Sequence, residues 1–163
     1  MSDKKHILVA LVEDKPGVLT RVASLFRRRG FNIQSLAVGH SEQPGLSRMT
    51  IVVDGDSTVV EQVRKQLDRL INVIRVSDIT EEDTVARELS LIKVKATTST
   101  RNEIIQIVDV FRANVVDVAS DSLTVEVTGD ENKVNSLFEL LRSFGIKELA
   151  RTGTVALTRG GIS

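Results

Sequence analysis

Residues 7–38 read ILVALVEDKPGVLTRVASLFRRRGFNIQSLAV, and this stretch decides the fold. Ile7 to Val12 is an unbroken apolar run of strand length, suited to a strand covered on both faces. Glu13-Asp14-Lys15-Pro16-Gly17 then breaks the run with turn formers, and a Pro here suits the first turn of a helix. Val18, Leu19, Val22, Ala23 and Phe26 recur at helical spacing and mark one apolar face. Arg27-Arg28-Arg29 complements the negative end of the helix dipole, and Gly30 fits a left-handed C-terminal cap. Phe31 to Val38 returns to strand character. Its apolar phase slips between Ile33 and Leu36, which places a β-bulge near Gln34-Ser35.

Further along, Met49, Ile51 and Val53 alternate with their neighbours as a second hairpin strand after a polar loop. Asp54-Gly55-Asp56 is a turn, and Asp56 or Ser57 can cap a helix whose inner face is Val59, Val60, Val63, Leu67 and Leu70. Val73 to Ile79 completes a β-α-β-β-α-β order. Residues 80–87, TEEDTVAR, hold three consecutive acids and few large apolar groups, so they read as a linker. The order then repeats. Leu89 to Ala96 is a strand, and Ile104, Ile105, Ile107, Val108 and Phe111 mark a helix. Val115 to Ala119 and Leu123 to Val127 form two more strands. Val134, Leu137, Phe138 and Leu141 mark a second helix, and Lys147 to Thr158 is a last extended stretch broken at Gly153. The repeat rests on element order, not on residue identity. The expected fold is α+β: two ferredoxin-like βαββαβ domains, 1–79 and 88–163, joined by 80–87. Units this small have thin cores, and one sheet face of each must meet water or a partner, so a dimer is expected.

Composition removes most other classes. The 163 residues are 41% hydrophobic and 27% charged, which excludes a disordered chain. With 22 basic and 22 acidic residues there is no general attraction for nucleic acid. RNA-recognition domains with this element order stack bases on aromatic residues of the central strands. Ile7 to Val12 and Leu46 to Val53 have none. There is no Cys, which excludes thiolate metal sites and Cys nucleophiles. No nucleotide-binding glycine motif, zinc-protease helix or nucleophile elbow is present, so no catalytic or metal-ligating residues are assigned. His6 and His40 read as solvated. No apolar run reaches the length of a bilayer span or a signal peptide, and a cytoplasmic, membrane-free protein is expected.

Glu13 to Leu19 is the informative segment. It joins a buried strand to an amphipathic helix, whose first turn offers unpaired N–H groups and the positive end of the dipole. Gly17 lets a ligand approach the backbone, and a carboxylate is a fitting guest. Asp14 can attract an ammonium group, and Asn32, at the next strand start, offers its side-chain carbonyl. Together these suit a small apolar amino acid. A plain strand–helix turn, with Asp14 as cap and Pro16 in the first turn, accounts for the same residues, and local physics favours it.

The stretch VEDKPGVLTRVASLFRRRGFNIQSLAVG resembles an ACT domain, the small-molecule regulatory module of amino-acid metabolism. With LSRMTIVV, RELSLIKV, FRANVVDV and RTGTVALTRG following in order, the whole chain resembles the small-subunit family of acetohydroxyacid synthase, also called acetolactate synthase. The resemblance implies a non-catalytic regulatory subunit. It would bind and activate a large catalytic subunit that carries thiamine diphosphate, magnesium and FAD, with no cofactor on this chain. It would also confer feedback inhibition by valine. The resemblance places the effector between the N-terminal ACT domains of a homodimer. Asp14, Lys15, Pro16, Gly17, Val18 and Leu19 would come from one copy, and Asn32 and Ile33, within Gly30 to Ile33, from the other. Relatives often carry Asn at position 14, so Asp14 bears on effector preference. A stand-alone amino-acid sensor acting on a different enzyme is the alternative.

Overall fold

The computed structural model describes residues 4–160. Residues 4–85 together with 154–160 form one compact unit, and residues 86–153 form another.

The first unit contains β1 (Lys4–Glu13), α1 (Val18–Arg28), β2 (Asn32–His40), β3 (Leu46–Gly55), α2 (Ser57–Asp68) and β4 (Val73–Asp78). The strands form one antiparallel sheet in the order β2-β3-β1-β4. Alternation sets the layers. Leu8, Ala10 and Val12 of β1 and Met49, Ile51 and Val53 of β3 point to the helices and are buried. Val18, Val22, Leu25 and Phe26 of α1 and Val60, Val63 and Leu67 of α2 meet them. Truncating a residue such as Leu8 or Leu67 to Ala costs about 2–5 kcal/mol at sites of this kind. Asp56 caps α2, its Oδ1 accepting the Thr58 N–H at 2.9 Å. The register of β2 shifts between Ile33 and Ser35, which is the bulge read from the apolar phase.

The second unit follows the same plan. Here β5 (Thr84–Lys95), α3 (Arg101–Val110), β6 (Asn114–Val118), β7 (Ser122–Gly129), α4 (Glu131–Arg142) and β8 (Ile146–Arg151) give a sheet ordered β6-β7-β5-β8. Its core joins Ile92, Val94, Leu123 and Val125 to Ile104, Val108, Val134, Leu137 and Leu141. Edge strand β6 repeats the β2 device, with its own register shift between Val115 and Asp117. The two βαββαβ-like units thus share geometry down to one bulge.

Three expectations need correction. Thr84 to Arg87 are not linker: β5 starts at Thr84, and the three acids only precede it. The extended stretch broken at Gly153 is two strands as read, β8 and β9 (Val155–Thr158); β9 pairs with β5, and residues 154–160 group with the first unit. The Thr154 N–H donates to Ser35 Oγ at 2.7 Å, and the Arg48 guanidinium donates to the Ala156 carbonyl at 2.7 Å. Ser35 and Arg48 lie on the sheet face away from the helices, so β9 crosses that face. Val9, Thr50, Val52 and Ala156 are buried there, so the chain itself covers part of the face expected to meet water or a partner. Finally, His6 is buried, because it shares the helix-facing parity of Leu8, and its Nε2 lies 3.2 Å from the Gly55 carbonyl.

Candidate functional site

The β1–α1 loop sits at one end of the first sheet. The Asp14 N–H donates to the Gly45 carbonyl at 2.9 Å, and the Glu13 N–H donates to Asn72 O at 2.8 Å. Lys15, Pro16, Gly17 and Val18 form a tight turn closed by a long Val18 N–H to Lys15 O bond of 3.4 Å. Gly17, with φ 84° and ψ −10°, has the third-position geometry of a type II turn, and Pro16 fills the second position that suits it. The roles expected of Asp14 as cap and Pro16 as first-turn residue are corrected. Pro16 lies outside the helix, Gly17 itself stands at the cap position, and no side chain caps α1. Gly17 is required for its left-handed backbone and not for crowding, since a Cβ there would meet nothing nearer than an Arg21 nitrogen at 3.7 Å.

The result is an uncapped helix start. The Leu19 and Thr20 N–H groups have no partner among the described residues, and the helix dipole adds positive potential there. Leu19 is exposed, whereas the Val18 side chain turns into the core. Around the turn the charges are arranged in pairs. Lys15 Nζ lies 2.9 Å from Glu13 Oε2, and Asn72 Nδ2 donates to the same oxygen at 3.1 Å. These two hydrogen bonds, Lys15 first, with the Lys15 charge added, hold the Glu13 carboxyl below its ordinary range. The Arg21 guanidinium bonds Asn72 Oδ1. Asp14 projects free of Lys15 and faces the His40 imidazole, Oδ2 to Nδ1 at 3.5 Å.

Asn32 and Ile33 are elsewhere. Asn32 pairs with Asp54, which pairs with Lys5, whereas the loop follows Glu13. Eight residues of β1 separate the two rows, roughly 27 Å at the usual rise of a strand. Asn32 is exposed, while Ile33 packs against the core. Within one chain, therefore, the structure brings Asp14 to Leu19 together and leaves Asn32 and Ile33 at the opposite end of the sheet.

Sequence reasoning missed Asn72, Arg21 and His40. Only the strand order reveals Asn72 and His40, because β4 and β2 must end beside this loop. Arg21 carried a local signal: it lies one helical turn after Gly17, and its N–H closes on the Gly17 carbonyl at 3.1 Å. Among the described residues no group of three or more His, Asp or Glu is placed to hold a metal ion. No described helix is long and apolar enough to cross a membrane.

Family models match both halves of the chain, the second running on through β9. A family model described as the AHAS small subunit-like ACT domain matches residues 8–75. A second, described as the small subunit of acetolactate synthase, matches residues 87–160. A protein of Archaeoglobus fulgidus named probable acetolactate synthase small subunit is 61% identical over 156 residues, 96% of this chain and 98% of that protein. The chain belongs to the acetolactate synthase small-subunit family. The acetolactate synthase small subunit of Mycobacterium bovis is 56% identical over 160 residues, 98% of this chain and 95% of its own. The crystal structure of the acetolactate synthase small subunit from Thermotoga maritima superposes with a TM-score of 0.88 at 42% identity. That match covers 98% of this chain and 99% of the other, so the likeness to the family extends over both units.

Proposed function

We propose that this chain is the regulatory subunit of an acetolactate synthase, carrying no catalytic residues of its own. It binds the large catalytic subunit, raises its activity and makes it sensitive to valine. The chemistry, and the thiamine diphosphate, magnesium and FAD that serve it, belong to the catalytic subunit. The observation that supports the effector reading is the separation of Asp14 from Asn32 by the length of the sheet. A complete site then requires a second copy of the first unit, joined so that one loop faces the other's β2 start.

In this reading the valine carboxylate takes the Leu19 and Thr20 N–H groups, where an anion is favoured. The ammonium group lies against Asp14, drawn by its charge. Leu19 lends apolar contact, and Lys15, Pro16, Gly17 and Val18 shape and anchor the turn. Asn32 and Ile33 of the second copy close the site. Occupancy then depends on how the two copies are oriented, and valine inhibits to the extent that it favours one orientation. A coupling of about 1–3 kcal/mol is typical of such devices.

The test is to mix the chain with its cognate catalytic subunit and follow acetolactate formation while titrating valine. Activation followed by valine inhibition, with the catalytic subunit alone weakly active and insensitive, is expected. If the two chains neither co-purify nor affect activity, the assignment fails, and an amino-acid sensor acting on another enzyme takes its place.

A further inference from the structure

Phe31 is the last residue before β2, and three contacts hold it. Its N–H donates to the Phe26 carbonyl at 3.0 Å, which ties it to the end of α1. Its ring meets the Phe26 ring edge-on, with centroids 6.4 Å apart and planes at 76°. The third contact is Gly55, at the end of β3. A Cβ on Gly55 would fall 1.9 Å from Phe31 Cε1 and 2.7 Å from Cδ1, closer than real carbon atoms approach.

Nothing else at position 55 demands glycine. Gly55 is not among the residues with positive φ, so its backbone accepts an ordinary side chain. It is also fixed from behind. It pairs with Lys4 of β1, and its carbonyl faces buried His6 at 3.2 Å. A side chain here must therefore displace the ring and not the strand. The ring is backed by the Phe26 ring, and its own backbone leads directly into Asn32, which pairs with Asp54 beside Gly55.

We infer that Gly55 is a positioning residue: its missing side chain seats the Phe31 ring, and the seated ring sets where Asn32 stands. As a statement about effector binding this rests on the valine reading above. As a statement about the position of Asn32 it stands on these contacts alone.

The experiment uses the full chain as wild type, Gly55→Ala, Phe31→Ala and the double variant. Backbone hydrogen exchange is followed in peptides covering residues 30–36 and, as a folding control, residues 87–153. Valine binding is measured in parallel. Gly55→Ala is expected to speed exchange in 30–36, leave 87–153 unchanged and weaken valine binding about tenfold, the loss of one good polar contact. In the Phe31→Ala background the same substitution adds nothing, because the ring it strikes is gone. Unchanged exchange in 30–36, or an effect of Gly55→Ala that persists without the ring, overturns the seat. A wild-type chain that does not bind valine overturns the effector reading and leaves the exchange result to judge the seat.

Discussion

The imidazole of His40 stands 3.5 Å from the carboxylate of Asp14, joining the end of β2 to the loop before α1. Both side chains are largely exposed, so the pair is weak, yet it engages the one carboxylate of the loop that Lys15 leaves free. Removing the imidazole releases Asp14 for an ammonium group. His40→Ala is expected to sharpen valine inhibition, by no more than about fivefold because the pair is solvent-screened. Asp14→Asn is expected to weaken it by about tenfold through loss of a charge-assisted contact. Valine inhibition curves of the reconstituted enzyme decide both, and equal curves for the two variants would remove Asp14 from the site.

Gly17 allows backbone and charge to be separated. Its φ of 84° makes any side chain strained, while the space around it is open. Gly17→Ala should fold with a loss of about 1 kcal/mol and keep its valine response. Gly17→Asp places a negative charge beside the Leu19 and Thr20 N–H groups. It should abolish inhibition and leave activation of the catalytic subunit intact. Parallel loss of activation and inhibition in a folded Gly17→Asp variant would show that no separable effector site exists there.

Glu13 makes the loop acid-sensitive. Lys15 and Asn72 lower its folded-state pKa below the ordinary value of 4.5. The stabilisation is therefore complete above pH 4.5 and drains away as pH falls through the lower folded value. Glu13→Gln cannot titrate. Unfolding curves of the two proteins should converge in their pH dependence above pH 4.5 and diverge below it, with the wild type falling more steeply. Parallel slopes through the acid range would rule out the linkage.

Strand β9 gives a prediction for the opposite face of the sheet. Removing residues 154–163 takes away the partners of Ser35 and Arg48 and uncovers Val9, Thr50 and Val52. The truncated chain should bind a hydrophobic dye and lose the cooperative unfolding of its first unit. Unchanged unfolding would mean that the face is stable without its cover. Arg48→Ala alone, which removes one hydrogen bond from a half-buried side chain, should cost about 1 kcal/mol.

Local chemistry carried most of the fold. The alternation of Met49, Ile51 and Val53, the helical spacing from Val18 to Phe26, the Asp56 cap and the phase slip at Gln34-Ser35 are all short-range signals, and the structure follows each. What stayed hidden depends on strand order. Asn72 meets Glu13 only because β4 lies beside β1, and His6 meets the Gly55 carbonyl only because β3 lies beside β1. Thr84 to Arg87 read as linker because the acids before them dominate composition, while their pairing partner is more than sixty residues away. In the site, Gly17 and Asp14 stood out by residue type. Unpaired N–H groups were expected at this helix start, and the structure adds that Gly17, not Asp14, stands at the cap position.

The contacts of the β9 segment with Ser35 and Arg48 on the face of the first sheet also fix a timetable. On a ribosome, which releases the chain from its N-terminus, residues 4–85 emerge early with one sheet face bare. The strand that covers part of that face is made only after all of residues 86–153. The nascent first unit must therefore wait, exposed, through the synthesis of an entire second unit. Slow translation of that middle stretch would lengthen its exposure to chaperones and to mispairing, and pausing there would be felt in the yield of folded protein without any change of sequence.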